Sequence, residues 1–150
     1  MNGKSTSASG HIATGMTGEG IAEKYLRGNG FRTLCRNWRP KGAQRNLELD
    51  LVGRWHDGLV FIEVKTRRPG PDETNNFPPG LKNFSPAKQK NMVKAARAYL
   101  QEHGAWDEPC RFDLVCVTLL PGEKPLVEHY ENVIELGHTL DRGNAPWQPW

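Results

Sequence analysis

One helix, three strands, a second helix and two more strands follow one another along this chain, an order that predicts a small α/β or α+β domain built on a single sheet. Three observations carry that prediction. Two stretches place apolar residues at helical spacing, and five short apolar runs are bounded by turn residues. The length, 150 residues, is that of one ordinary domain.

The elements are justified in order. Residues 1–16 are rich in Ser, Thr, Gly and Ala with no apolar period and read as a flexible tail. A helix should begin near Thr17, whose hydroxyl can cap it; Ile21, Ala22, Tyr25 and Leu26 form its apolar stripe, and Gly28-Asn29-Gly30 is a left-handed stop. Phe31 to Trp38 reads as a strand and Pro40 to Asn46 as a basic loop. Leu47 to Val52 alternates apolar and acidic residues, His56-Asp57-Gly58 turns the chain, and Leu59 to Lys65 returns as a mostly apolar strand; an Asp-Gly step between two such runs signals a β-hairpin. Thr66 to Lys82 is Pro- and Gly-rich, long enough for a mobile arm. Ser85-Pro86 opens a second helix as N-cap and first residue, with Met92, Ala95, Ala96, Tyr99 and Leu100 facing the core. Phe112 to Leu120 and Leu126 to Ile134 read as the last two strands, and residues 137–150 as a second flexible tail, leaving a folded domain over 17–136.

Composition narrows the class. The apolar share is 37%, and no apolar run approaches the ~18 residues of a membrane span. Nor is there the apolar core of a secretory signal, so a soluble, cytoplasmic protein is expected. The net charge is only +3, yet Lys24 to Arg45 holds seven basic residues and no acid, and Lys82 to Arg97 five more, again without an acid. Between Gln101 and Asp141 nine acids face only Arg111 and Lys124. Such segregation suits a polyanionic partner; a plain solvated face is the alternative. Cys35, Cys110 and Cys116 are widely spaced and the histidines are scattered, which argues against both a disulfide scaffold and a zinc site.

Side chains two apart on a strand share a face, so Glu63 pairs with Lys65, and Glu48 with Asp50. If the hairpin aligns them, three carboxylates and an ammonium converge, a donor set suited to a hard cation such as Mg²⁺ or Mn²⁺ and to phosphodiester hydrolysis. An acid-x-Lys triplet alone is equally a salt-bridged strand surface. The sharper signal is Glu63 closing an almost wholly apolar run, because a charge at the end of a buried strand is costly unless paired or metal-bound.

Asp50, followed by Glu63-Val64-Lys65 at the end of the next strand, resembles the PD-(D/E)xK nuclease signature. The flanking residues narrow the resemblance: Gly18-Glu19, Ala22, Tyr25-Leu26, Gly30-Phe31, Asn37-Trp38-Arg39, Glu48-Leu49-Asp50-Leu51, Val60 to Arg67, Lys88-Gln89 and Arg111-Phe112-Asp113 occur in the order seen in the bacterial YraN-type family, related to the archaeal Holliday-junction resolvases. This series extends over about residues 17–135. Leu47 stands where many members have glycine, the approach through Gly42 to Asn46 is longer, and the Pro-rich arm and both tails exceed the common core.

The resemblance implies a restriction-endonuclease-like α/β fold, a central mixed β-sheet flanked by helices. It implies a metal site in which Asp50, Glu63 and the Val64 carbonyl hold Mg²⁺ or Mn²⁺, and Lys65 orients water or stabilises the transition state. Glu19 would be an accessory acid, or simply a favourable charge at a helix N-terminus. Glu48 would act behind Asp50, or lie on a solvated strand. Arg67, Lys88, Gln89, Lys90 and Lys94 would contact DNA phosphates, or be solubilising surface. Trp38 could stack on a base or pack in the core. The implied activity is an endonuclease leaving a 5′-phosphate and a 3′-hydroxyl, with branched or abnormal DNA as candidate substrates and a homodimer as a plausible assembly. A catalytically silent nucleic-acid-binding module and a protein-interaction factor in DNA repair are the rival classes.

Overall fold

A computed structural model describes residues 18–42, 47–56, 58–70 and 84–135. Both expected tails, Thr17, Asp57 and most of the Pro-rich arm lie outside these residues. The described elements are α1 (18–28), β1 (Arg32–Trp38), β2 (Leu49–Trp55), β3 (Gly58–Arg67), α2 (Pro86–His103), β4 (Cys110–Thr118) and β5 (Leu126–Tyr130). The five strands form one sheet in the order β1-β2-β3-β4-β5, with every pair antiparallel except β3 and β4. A parallel pair needs a crossover, and α2 lies in the one between β3 and β4. The result is an α/β fold whose open mixed sheet fits the restriction-endonuclease-like architecture. No described helix is long and apolar enough to cross a membrane.

Both faces of the sheet are covered. On one, α2 brings Met92, Ala96, Tyr99 and Leu100 against Leu59, Phe61, Phe112 and Leu114. On the other, α1 brings Ala22 and Leu26 against Val60, Ile62, Val115 and Val117. This explains why Leu59 to Ile62 reads as a continuous apolar run: alternate side chains enter different cores, as in any strand buried on two faces. Each large apolar side chain buried this way stabilises by ~1.5–3 kcal/mol.

The helix ends follow local chemistry. Ser85 Oγ accepts a hydrogen bond from the Lys88 N–H at 3.2 Å, and Gly104 closes α2 at φ 61°. Gly30, at φ 100°, lets the chain leave α1 while the Phe31 N–H returns to the Leu26 carbonyl. A side chain at Gly18 would place its Cβ 1.8 Å from Thr66 Oγ1, so glycine there is what seats the first turn of α1 on β3.

Several boundaries differ from the sequence expectation. β2 starts at Leu49, while Leu47 is already buried in the larger core. The last pair of the hairpin is Trp55–Gly58, and His56, next to Trp55, takes a positive φ, 54°. β3 runs on through Thr66 and Arg67 because β4 continues to pair with it up to Thr118. β5 stops at Tyr130, since the chain bends at Asn132 (φ 53°) to bond β4.

That bend is held by Asp113, a carboxylate with no exposed surface. Its Oδ1 accepts from Arg111 Nε at 3.1 Å and the Asn132 N–H at 2.9 Å; its Oδ2 accepts from Arg111 Nη2 at 3.1 Å and His129 Nε2 at 2.8 Å. Trp55 stacks on His129 at 5.2 Å, with the Arg111 guanidinium 4.9 Å from its ring centre. The Arg111-Phe112-Asp113 stretch therefore ties β4 to β5 and to the end of β2. All three cysteines are free thiols, Cys116 buried and the other two half-buried. Trp38 packs edge-on against Tyr99 at 5.2 Å beside the larger core, as a core residue does.

Candidate active site: an acidic cleft at the end of the hairpin

The site forms where the apolar stretch of β3 ends. Leu51 pairs with Ile62, and one further step in that register sets Asp50 opposite Glu63. The Val64 N–H donates to Asp50 Oδ2 at 2.8 Å, which fixes that carboxylate against the next strand. The Asp50 and Glu63 carboxyls stand close enough for the charge of one to act on the other. Burial first, then the neighbouring Glu63 charge, pushes the Asp50 pKa up to about 7. Glu63 is raised too, chiefly by burial, although Lys65 and Lys88 pull the other way. Two half-buried carboxylates this close resist ionising together unless a cation offsets their charge.

Glu48 and Glu19 extend this cluster. Glu48 lines a cleft of about 230 Å³ with Asp50, Glu63, Lys88, Asn91 and Met92, so it does share the space that Asp50 faces. Glu19, in the first turn of α1, has its pKa raised by burial and then by the charges of Asp50 and Glu48. It stands close enough to feel both, although it is not part of the cleft lining.

Asn37 links the two outer acids. With its amide turned so that both its oxygen and its nitrogen are satisfied, the nitrogen donates to Glu48 Oε1 at 3.2 Å and to Glu19 Oε2 at 3.0 Å. Asn37 sits at φ 49°, a left-handed conformation that asparagine tolerates better than most residues. Arg39 Nη2 meets Glu48 Oε2 at 2.8 Å from the outside. The sequence pattern by itself assigns neither residue a chemical role. The available signal is an asparagine inside a strand, where that residue is disfavoured.

The cationic side comes from β3 and α2. The Lys65 pKa is lowered by burial and by contact with Lys88, against the pull of Glu63 and Asp50. Lys88 reaches the cleft because the N-terminal turn of α2 lies over the end of β3. The other expected phosphate contacts are placed differently. Gln89 Nε2 donates to the Phe84 carbonyl at 3.0 Å and so helps start the helix. Lys90 and Lys94 are outside the cleft lining, and Arg67 lies two residues beyond Lys65 on β3.

A divalent cation fits this donor set. Among the described residues no three His, Cys, Asp or Glu side chains converge as a metal cage. The protein instead offers two half-buried acids that repel each other, and Mg²⁺ commonly takes one or two carboxylates and keeps several waters. Asp50 and Glu63 are the residues that would hold it, with the Val64 carbonyl as the further oxygen donor the family resemblance implies.

Comparison with known proteins agrees with the sequence pattern. The profile described as "Uncharacterised protein family UPF0102" matches residues 18–117. A UPF0102 protein of Nitratidesulfovibrio vulgaris (strain DP4) is 40% identical across 92% of this chain and 96% of its own length. One from Oleidesulfovibrio alaskensis is 43% identical across 93% and 94%, and the Geobacter sulfurreducens protein GSU0650 is 37% identical across 83% and 90%. The profile match takes in α1, the acidic cleft and nearly all of β4, and with the relatives at this identity it establishes that the chain belongs to the UPF0102, or YraN, family.

Proposed function

We propose that this protein is a Mg²⁺- or Mn²⁺-dependent endonuclease that hydrolyses DNA phosphodiesters, with branched or abnormal structures as its preferred substrates. The observation that carries the reading is the half-buried Asp50–Glu63 pair with Lys65 and Lys88 close by. Its repulsion is relieved by a cation, and its lysines suit a phosphate. A bound divalent ion would supply positive charge against the two carboxylates and acidify water.

The chain's own residues do the rest. Lys65, with its depressed proton affinity, holds the attacking water, takes a proton from it as its neutral amine and later releases that proton to solvent. Water oxygen bonds to phosphorus in line with the departing 3′-oxygen, which takes a proton from solvent; the products are a 5′-phosphate and a 3′-hydroxyl. Lys88 holds a non-bridging phosphate oxygen as negative charge grows on it. Glu48 and Glu19, bridged by Asn37, keep the carboxylate wall in place. A homodimer would present two such clefts to two strands of a junction.

The test is cleavage of labelled single-stranded, duplex, flap and four-way-junction DNA in Mg²⁺ and in Mn²⁺. Wild type is compared with Asp50→Ala and Lys65→Ala, each checked for folding by circular dichroism. Cleavage should disappear in the first variant and fall by ~10²–10³-fold in the second, the usual effect of removing one transition-state interaction. Equal traces from all three proteins would mean a contaminating nuclease. No cleavage by wild type, with salt-sensitive binding intact, would leave a DNA-binding module.

A further inference from the structure

β1 is an edge strand, paired only with β2 in the described sheet. Along it runs an open groove of about 520 Å³ whose lining includes Arg27, Arg32, Thr33, Leu34 and Arg36. Lys24 and Arg27 line the adjoining surface of α1. The acid in this region, Glu23, is already engaged. Its Oε1 accepts from Arg36 Nε at 2.8 Å, its Oε2 meets Arg36 Nη2 at 2.7 Å, and Thr33 Oγ1 also donates to Oε2. Burial alone would raise the Glu23 pKa, but these hydrogen bonds outweigh it and hold the group below its ordinary value. Three arginines line the groove and Lys24 stands on the adjoining surface; with Arg36 tied to Glu23, the charges of Arg27, Arg32 and Lys24 leave this edge positive.

We propose that this groove carries the phosphate backbone of a DNA strand and leads it to the acidic cleft. The inference deepens the nuclease reading and rests on it for the identity of the polyanion.

Continuity is the first support. The far end of β1 lines the groove through Arg32, while its near end supplies Asn37, which bridges Glu48 and Glu19, and is followed by Arg39 on Glu48. A strand lying on β1 thus arrives beside Asp50 and Glu63. Length is the second. The seven residues of β1 span ~23 Å at ~3.3 Å each, about seven nucleotides of a duplex strand at ~3.4 Å. Charge complementarity is the third, and it excludes the commonest occupant of a sheet edge. A second copy pairing along β1 would bring Arg32 and Arg36 against their own counterparts, and charged edges discourage such pairing.

The test is DNA affinity in EDTA, which reads binding apart from turnover, measured by fluorescence anisotropy of a labelled flap duplex over a range of salt. Arg27→Gln with Arg32→Gln should flatten the slope of log K against log salt by about 1.8, near 0.9 for each phosphate that is no longer neutralised. Leu34→Glu, at a position 40% exposed and so harmless to the core, should weaken binding severalfold at low salt, with Leu34→Gln close to wild type. Lys90→Gln with Lys94→Gln removes the same charge from α2 and should alter the slope far less.

A slope unchanged in the arginine variant, an equal change in the lysine variant, or no binding by wild type at low salt would each overturn the proposal. If the groove fails while Mg²⁺-dependent cleavage persists, the nuclease reading stands. If cleavage fails while the arginine effect persists, the groove stands without it.

Discussion

Asp113 and Asp50 are both largely removed from water, yet the fold treats them in opposite ways. Asp113 receives four donors, two of them from one guanidinium, and every donor belongs to the protein. Asp50 receives one backbone N–H and is otherwise crowded by carboxylates, Glu63 in contact and Glu48 close by. A buried acid whose counter-charges are built in holds strands together. One whose repulsion is left standing is strained until something positive arrives from outside. Strain of that kind is expected at functional sites, where it serves chemistry rather than folding.

The comparison breaks most directly at Asp113. Asp113→Ala would take the shared acceptor from the buried His129 side chain, the half-buried Arg111 guanidinium and the Asn132 N–H. Unfolding in urea should show a loss of ~3–5 kcal/mol, the usual result of removing one partner from a buried charged network. A loss below ~1 kcal/mol would mean that the network is not what joins β4 to β5.

Asp50→Asn should do the reverse in metal-free protein. Because the folded-state pKa of Asp50 is raised, the folded state binds more protons than the unfolded chain between about pH 4 and 7, and wild-type stability falls as pH rises through that window. An amide keeps the bond from Val64 and cannot ionise. The variant should therefore be more stable than wild type at pH 8 by on the order of 2–4 kcal/mol, with the gain vanishing near pH 4. Mg²⁺ should narrow the gap from the other side: at ~100-fold excess over its dissociation constant it stabilises wild type by ~2.7 kcal/mol and the variant much less. Thermal melts at pH 4, 6 and 8, with and without Mg²⁺, read both effects. A variant less stable than wild type at pH 8 would refute the idea of unresolved repulsion.

The smallest effect sharpens the boundary of the strained site. Asn37→Ala removes the amide between Glu19 and Glu48 and should cost about 1 kcal/mol in urea unfolding, one hydrogen-bonded bridge. If cleavage is established, it should also fall more in this variant than in Arg39→Ala, since Arg39 meets Glu48 from the solvent side. Equal loss in both variants would mean that the bridge orients nothing.

Much of this was legible along the chain. The Ser85-Pro86 start, the Gly104 end and the Gly30 stop depend on groups within a few residues of each other, so local chemistry suffices to read them. So does the strand that ends at Glu63, because a long apolar run cut short by an acid is visible without knowing its neighbours. Boundaries were less legible. β3 extends to Arg67 only because β4 is there to pair with it, and β5 ends early only because Asn132 turns back to Asp113.

By itself, then, the sequence determined the order of the elements, the apolar faces of both helices, the family, and Asp50, Glu63 and Lys65 as a candidate set. Only the tertiary structure decided that Lys88 reaches the cleft, that Asn37 joins Glu19 to Glu48, that Asp113 is fully satisfied and that β1, flanked by arginines, is the edge of the described sheet. The physical reason is range. Capping, turns and periodicity are settled by neighbours in sequence, whereas the fate of a buried charge depends on what strands and helices far along the chain bring within a few ångströms of it.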